Sequence, residues 1–239
     1  MVGLGPGGPL DRTRRAELAI AASEVIVGYS RYVASIADLT AGKEVLSSGM
    51  RQEVDRCRLA LRRAADGATV ALVSSGDAGI YGMAGLTIEL AEAEKLHVDI
   101  EIVPGVTAAA GAAGRMGAPL MLDFAVISLS DLLIPWPTIR ARLEAVAAAD
   151  LVVALYNPKS AKRVAQLDET LGIFRQHRPP KTPVGLGINL GSADERIVLT
   201  DLAGVPTDQI DMRTVVIIGN STSRVLAGWF VTARGYRTK

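Results

Sequence analysis

Four short segments of this chain carry the residue types that bind small ligands. The first, Gly3-Leu4-Gly5-Pro6-Gly7-Gly8, follows Met1-Val2 and formally matches G-x-G-x-x-G, the loop that cradles a dinucleotide pyrophosphate. Two details disfavour that chemistry. Pro6 removes a backbone N–H where donors are needed, and the next strand candidate, Val25-Ile26-Val27, runs into Gly28-Tyr29 without the acid that would hold a ribose. The second segment, Ser74-Ser75-Gly76-Asp77-Ala78-Gly79-Ile80-Tyr81-Gly82, leaves backbone groups open and adds the carboxylate of Asp77, which suits a cationic or hydroxyl-bearing ligand and repels phosphate. The third is Val103-Pro104-Gly105-Val106-Thr107-Ala108-Ala109-Ala110, whose alanines allow a flat ligand or another segment to approach closely. The fourth, Tyr156-Asn157-Pro158, sets a polar aromatic beside an amide. Each also has a purely structural reading. The glycine loop can be a tight turn, Asp77 or Ser75 and Thr107 can be helix N-caps, and Tyr-Asn-Pro can be ordinary turn chemistry. Together they describe a cleft for a small, neutral-to-cationic ligand.

The elements that must position these segments follow from periodicity. Val25–Val27, Thr69–Val73, Ile100–Val103, Leu151–Leu155 and Val215–Ile218 are short β-branched runs, mostly apolar on both faces, as in sheets covered on both sides. Helical patterns are expected over 12–22, 50–65, 82–93, 107–114, 138–149 and 159–177. Strand-helix alternation predicts an α/β fold with open mixed sheets covered by helices, and ligands beyond the strands' carboxyl ends. Residues 116–137 carry three prolines and are expected to form an inter-domain connection and an irregular loop. The boundary is placed near 115–120, giving an N-terminal α/β domain at 1–117, a C-terminal α/β domain at 118–239, and a cofactor cleft between them.

Composition excludes several classes. With 26 basic and 25 acidic side chains scattered along 239 residues, nothing marks a nucleic-acid surface. The lone Cys57 is expected to be a buried small hydrophobe, and His97 and His177 stand far apart, so no metal site is expected. Apolar runs stop short of the ~18 residues of a membrane span. No signal-peptide pattern opens the sequence, and a cytoplasmic protein is expected.

Taken in order, GLGPG at 3–7, GDAGIYG at 76–82 and PGVTAA at 104–109 resemble the signature of the tetrapyrrole (corrin/porphyrin) methylases, with Ala78 where many members have proline. Within that family the segments 127–136 (ISLSDLLIPW), 155–160 (LYNPKS) and 216–221 (VIIGNS) are similar to precorrin-3B C17-methyltransferases, with Ile134 in place of a usual threonine. The resemblance implies a class III methyltransferase-like fold, a homodimer, and S-adenosylmethionine as cofactor. It implies that Pro6, Gly76, Asp77, Ile80, Thr107 and Ala108 of the first domain, with Tyr156, Asn157 and Asn189 of the second, line the cofactor cleft. It also implies a tetrapyrrole substrate, methylated at C17 of precorrin-3B or its cobalt form and contracted to precorrin-4.

A cationic sulfonium without phosphate accords with glycine loops that lack Lys and carry an Asp. In-line methyl transfer needs alignment, worth about 7–11 kcal/mol, and no nucleophilic side chain. Substrate carboxylates call for cations, for which Arg12, Arg14, Arg15, Arg31, Arg115, Lys159 and Arg163 are candidates. Ser128, Ser130 and Asp131 are the candidate proton donors or acceptors for ring contraction, Asp131 having a turn-capping reading beside it. Other corrin-pathway methylases, an NAD(P)-binding oxidoreductase and a non-catalytic ligand-binding module stay open. The near-neutral charge and the S-D-L-L loop disfavour diphthine and ribosomal-RNA methylases.

Overall fold

The computed structural model describes residues 1–236. The chain forms two compact α/β units, Met1–Ala108 and Ala109–Lys239.

In the first unit, β1 (Val2–Gly3), β2 (Val25–Tyr29), β3 (Glu44–Ser48) and β4 (Val70–Ser74) make a wholly parallel sheet in the order β1-β4-β2-β3. Helices α1 (Arg14–Ala22), α2 (Ser30–Ala34), α3 (Glu53–Ala65) and α4 (Ala84–Ala93) cover it. The strands' period of two sorts their side chains between two cores. Ile26, Ala71 and Val73 pack with Ile20 of α1, while Val25, Val27 and Leu72 pack with Cys57 of α3. Burial of each large aliphatic side chain contributes about 1.5–3 kcal/mol. Cys57 lies wholly in this core, and burial pushes its thiol pKa up.

Ile100–Val103 is not a strand. It joins the sheet edge through one bridge, Val2↔Val103, with Gly3 N donating to Val103 O at 2.9 Å. β1 is itself two residues long and offers no more ladder, and Pro104 follows at once.

The second unit opens with α5 (Ala108–Met116), which belongs to it in all but the first residue, so the division falls ahead of the 117/118 boundary. The physical reason is packing: a Cβ at Gly187 would lie 2.9 Å from the Ala112 methyl, and one at Gly185 would meet Met116. Both glycines sit in β8 (Pro183–Ile188), and only their bare backbone lets α5 come so near. After β5 (Gly117–Ala118) come β6 (Phe124–Ser128), α6 (Trp136–Ala148), β7 (Val152–Tyr156) and α7 (Ala165–His177). β8, β9 (Arg196–Asp201), β10 (Thr214–Ile218) and the hairpin β11 (Ser223–Leu226) and β12 (Trp229–Thr232) complete the unit.

Its main sheet runs β6-β7-β10-β8-β9, parallel only between β6 and β7, and a second sheet runs β11-β12-β5. The mixing of strand directions thus belongs to this unit. Leu143 of α6 and Leu171 and Phe174 of α7 fill the core beneath Val153, Leu155 and Leu186. Two expectations are corrected. Residues 124–128 are a strand inside the segment read as loop, and α7 begins at Ala165 because residues 158–164 form a tight turn closed by a Ser160–Arg163 bridge. Among the described residues no helix is long and apolar enough to cross a membrane.

Candidate functional site

All four strands of the first sheet are parallel, so their carboxyl ends share one edge, where open α/β sheets bind ligands. The glycine loop leaves β1 there, but it does not open a helix directly. Residues 4–13 intervene, and α1 starts at a Thr13 cap whose hydroxyl accepts from Ala16 N at 3.1 Å. A pyrophosphate loop feeding a helix N-terminus is therefore not what this sequence builds. Instead the loop pairs with the segment after β4. Gly5 N donates to Gly76 O at 3.1 Å, and Gly76 N donates to Gly5 O at 2.7 Å. Gly5 and Gly76 have φ of +79° and +63°, which glycine adopts without steric cost.

Asp77 locks the third segment to this pair. One carboxylate oxygen accepts from Gly79 N at 2.8 Å and the other from Gly105 N at 3.0 Å. It caps no helix, since α4 begins only at Ala84. Gly105 packs against backbone: a Cβ there would collide with Gly76 O and lie 2.7 Å from Gly3 C. Gly3 and Gly105 thus make the junction possible, a role that sequence reasoning missed although the Pro104-Gly105 pair marked it. Around the junction Pro6, Thr107 and Ala108 are half-buried and Ile80 is 41% exposed. The first-unit residues predicted from sequence are therefore gathered at one edge.

In the second unit, β6 and β7 end side by side, with Ser128 opposite Tyr156. The Tyr156 hydroxyl accepts from Ala109 N at 2.7 Å, at the start of α5. Asn157 takes φ of +48°, a conformation asparagine tolerates, and its amide donates to Ser128 Oγ at 3.0 Å. Ser130 N donates to the same oxygen at 3.2 Å. Asn157, Ser128 and Ser130 are thus one hydrogen-bonded cluster, and Tyr156 stands beside it. Asp131 reaches outward from it, accepting from Gln166 Nε2 at 2.8 Å and facing Arg163 Nε at 3.8 Å. Its side chain ties the loop to α7, and among the described residues it accepts no backbone N–H that would cap a turn. Asn189 stands apart in sequence, at the end of β8 with φ of +53°. Its amide oxygen is buried with no hydrogen-bond partner among the described residues.

Several candidate cations are already engaged. Arg12 forms a fork on Asp38 at 2.7 and 3.0 Å and also donates to Ser35 O, with its side chain 4% exposed. Arg163 donates to Asn157 O at 2.6 Å, and burial holds its guanidinium below the usual value, with Asp131 opposing. Lys159 donates to Thr207 O, Arg14 pairs with Glu17 and Arg15 faces Glu101. The segment 216–221 serves the core. Arg178 lies 4.5 Å over the Phe174 ring and donates to Gly219 O and Leu151 O, and burial lowers its pKa to about 10.

Arg115 donates to Glu195 at 2.6 Å, and the other Glu195 oxygen accepts from Gly191 N at 2.6 Å. Burial pushes the Glu195 carboxyl up, but the Gly191 N–H and the Arg115 guanidinium outweigh it, and its pKa lies below the ordinary 4.5. A depressed folded-state pKa contributes stability that is complete above the unfolded value and lost as pH falls through the folded one. Wild type is therefore expected to exceed Glu195→Gln in thermal stability at neutral pH, with the gap closing below about pH 4.5. Melting curves that stay parallel down to pH about 3 would exclude this linkage.

Comparison with known proteins adds to this geometry. The model of the Tetrapyrrole (Corrin/Porphyrin) Methylases matches residues 1–206. The chain is 43% identical over 236 residues to a probable cobalt-factor III C(17)-methyltransferase of Salmonella typhimurium, covering 99% of this chain and 98% of that one. It is 41% identical to a precorrin-3B C(17)-methyltransferase of a Sinorhizobium species, covering 95% and 90% of the two chains. A crystal structure of the methyltransferase CobJ superimposes with a TM-score of 0.92 at 38% identity, covering 97% and 98%.

Proposed function

Because the chain belongs to the tetrapyrrole (corrin/porphyrin) methylases, we propose that it is an S-adenosylmethionine-dependent C17-methyltransferase of cobalamin biosynthesis. It acts on precorrin-3B or its cobalt-bearing counterpart, with contraction of the ring to precorrin-4. The observation that carries this reading is likeness along nearly the whole chain to relatives named for that reaction.

The residues present fit the cofactor. The buried, unpartnered amide oxygen of Asn189 is an acceptor suited to a ligand N–H or O–H. A Cβ at Gly76 would meet nothing nearer than 3.9 Å, so its bare backbone leaves room for a ligand, and Asp77 beside it adds negative charge that suits a cation. Pro6, Gly76, Asp77, Ile80, Thr107 and Ala108 are the proposed cofactor residues of the first unit, and Tyr156, Asn157 and Asn189 those of the second. When bound, S-adenosylmethionine supplies an electrophilic methyl group. The chain's own contribution is to orient and desolvate the reactants. Ser128 and Ser130, in the hydrogen-bonded cluster with Asn157, and Asp131 are the proposed groups for proton transfer during contraction. In this reading the protein is a cytoplasmic homodimer.

The test is to incubate purified protein with S-adenosylmethionine and either precorrin-3B or cobalt-factor III, following products by mass spectrometry. A methylated, ring-contracted product from one of the two supports the reading and identifies the substrate. Tight S-adenosylhomocysteine binding without turnover of either substrate would favour a binding module, and NADH binding would favour an oxidoreductase.

A further inference from the structure

Arg56, in the first turns of α3, is 3% exposed, yet among the described residues none of its partners is an anion. Nε donates to Ser48 Oγ at 2.9 Å, one terminal nitrogen donates to Gly49 O at 2.6 Å, and the other lies 3.5 Å from Met83 Sδ. The Tyr29 ring centroid is 6.0 Å from the guanidinium carbon. A buried cation without a carboxylate is costly to keep, so its position calls for an explanation.

That position is the carboxyl edge of the parallel sheet. Tyr29 ends β2, Ser48 ends β3, and Met83 closes the loop that leaves β4 and contains Gly76 and Asp77. Ser30 Oγ donates to Ser48 O at 3.1 Å, joining the first two ends. One guanidinium fork thus fastens the loop after β3 to the loop after β4. Those loops also display apolar side chains, Met50 at 68% and Ile80 at 41% exposure. Exposed apolar groups on loops tied by a cation without an anion suit a flat macrocycle whose rim bears carboxylates.

We infer that Arg56 is a positioning residue for the tetrapyrrole, holding the loops after β3 and β4 in register and supplying unneutralised positive charge that favours a polycarboxylate substrate. This rests on the function proposed above. It acts through the loops and through its field, without touching the substrate.

The test compares wild type, Arg56→Met and Arg56→Lys, each first checked for its melting transition. Binding of a stable octacarboxylate porphyrin is followed by quenching of its fluorescence over a range of salt concentrations, and S-adenosylhomocysteine binding by calorimetry. Arg56→Met is expected to bind the porphyrin roughly tenfold more weakly and with a flatter salt dependence, because a lost charge leaves less to screen. Arg56→Lys should keep the salt slope while losing part of the affinity, since an ammonium cannot reproduce the fork. S-adenosylhomocysteine affinity should fall less than porphyrin affinity in both variants, because the Asp77–Gly105 bond and the Gly5–Gly76 pairing still hold the loop after β4. Unchanged porphyrin affinity and salt slope in Arg56→Met would overturn the inference, as would equal losses for both ligands, which mark a merely structural role. If Arg56→Met does not fold, Arg56→Lys decides: wild-type porphyrin affinity in it overturns the role of the fork. Wild type that binds neither ligand would instead bring down the proposed function, and this inference with it.

Discussion

Asp77→Ala is expected to weaken S-adenosylhomocysteine binding by up to about a hundredfold, measured by calorimetry on protein that still melts cooperatively. Both Asp77 oxygens accept from backbone N–H groups, of Gly79 and of Gly105, which lie in different loops. Hydrogen bonds to a charged group contribute about 1.5–3 kcal/mol each, and Asp77 is only half-buried, so the lower figure applies to both. Their sum is about 3 kcal/mol, and each 1.4 kcal/mol is tenfold in binding. Asp77→Asn is the sharper variant. An amide offers one acceptor, so its NH2 must face either the Gly79 or the Gly105 N–H as a second donor. It should therefore lose more than half of the same binding energy while keeping the side-chain shape. A wild-type dissociation constant in either variant would show that the carboxylate does not hold the cofactor loop.

Gly105→Ala is expected to be the most damaging single methyl addition at this edge. The added Cβ would meet Gly76 O and lie within 2.8 Å of the Gly3 carbonyl oxygen and 2.7 Å of its carbon, all backbone atoms. No rotamer change relieves such a clash. The segment after Val103 must move away, and the Asp77–Gly105 bond and the Gly5–Gly76 pairing are strained with it. Overpacking of this kind costs about 1–3 kcal/mol, and a loss near the top of that range is expected. Gly172→Ala in α7 is the control. Nothing lies within 4 Å of a Cβ there, and replacing a mid-helix glycine stabilises by roughly 0.5–1 kcal/mol. Denaturant unfolding of the two variants should move in opposite directions. Equal stability of Gly105→Ala and wild type would mean that the three loops are not packed as described.

The two expectations differ in how far local pattern could reach. Strands apolar on both faces, β2, β4, β7 and β10, could be read from β-branched runs alone, because side-chain alternation is a property of the strand itself. The small-residue junctions after β1, β4 and Val103 were equally legible, since glycine and Pro-Gly pairs announce turns wherever they occur. β8 was not, because Gly185 and Gly187 weaken any strand pattern. They are tolerated only because Met116 and Ala112 of α5 fill the space they leave. β6 was masked by the prolines that follow it, and the late start of α7 by a turn whose Ser160–Arg163 bridge has no local signal.

By itself the sequence determined the α/β class, the family, and which junctions carry small and polar residues. Only the tertiary structure decided what those residues do. Asp77 could be recognised as a carboxylate among glycines, but not as the bond between loops 28 residues apart. Arg12 and Arg115 looked like free cations until Asp38 and Glu195, 26 and 80 residues away, were found beside them. Arg56 carried no signal at all, yet among the described residues it is a buried cation with no anion as partner, at the carboxyl edge of the parallel sheet. The physical reason is range: dihedral preference and periodicity act within a few residues, whereas the pairing of charges and the room beside a glycine depend on segments that meet only once the chain has folded.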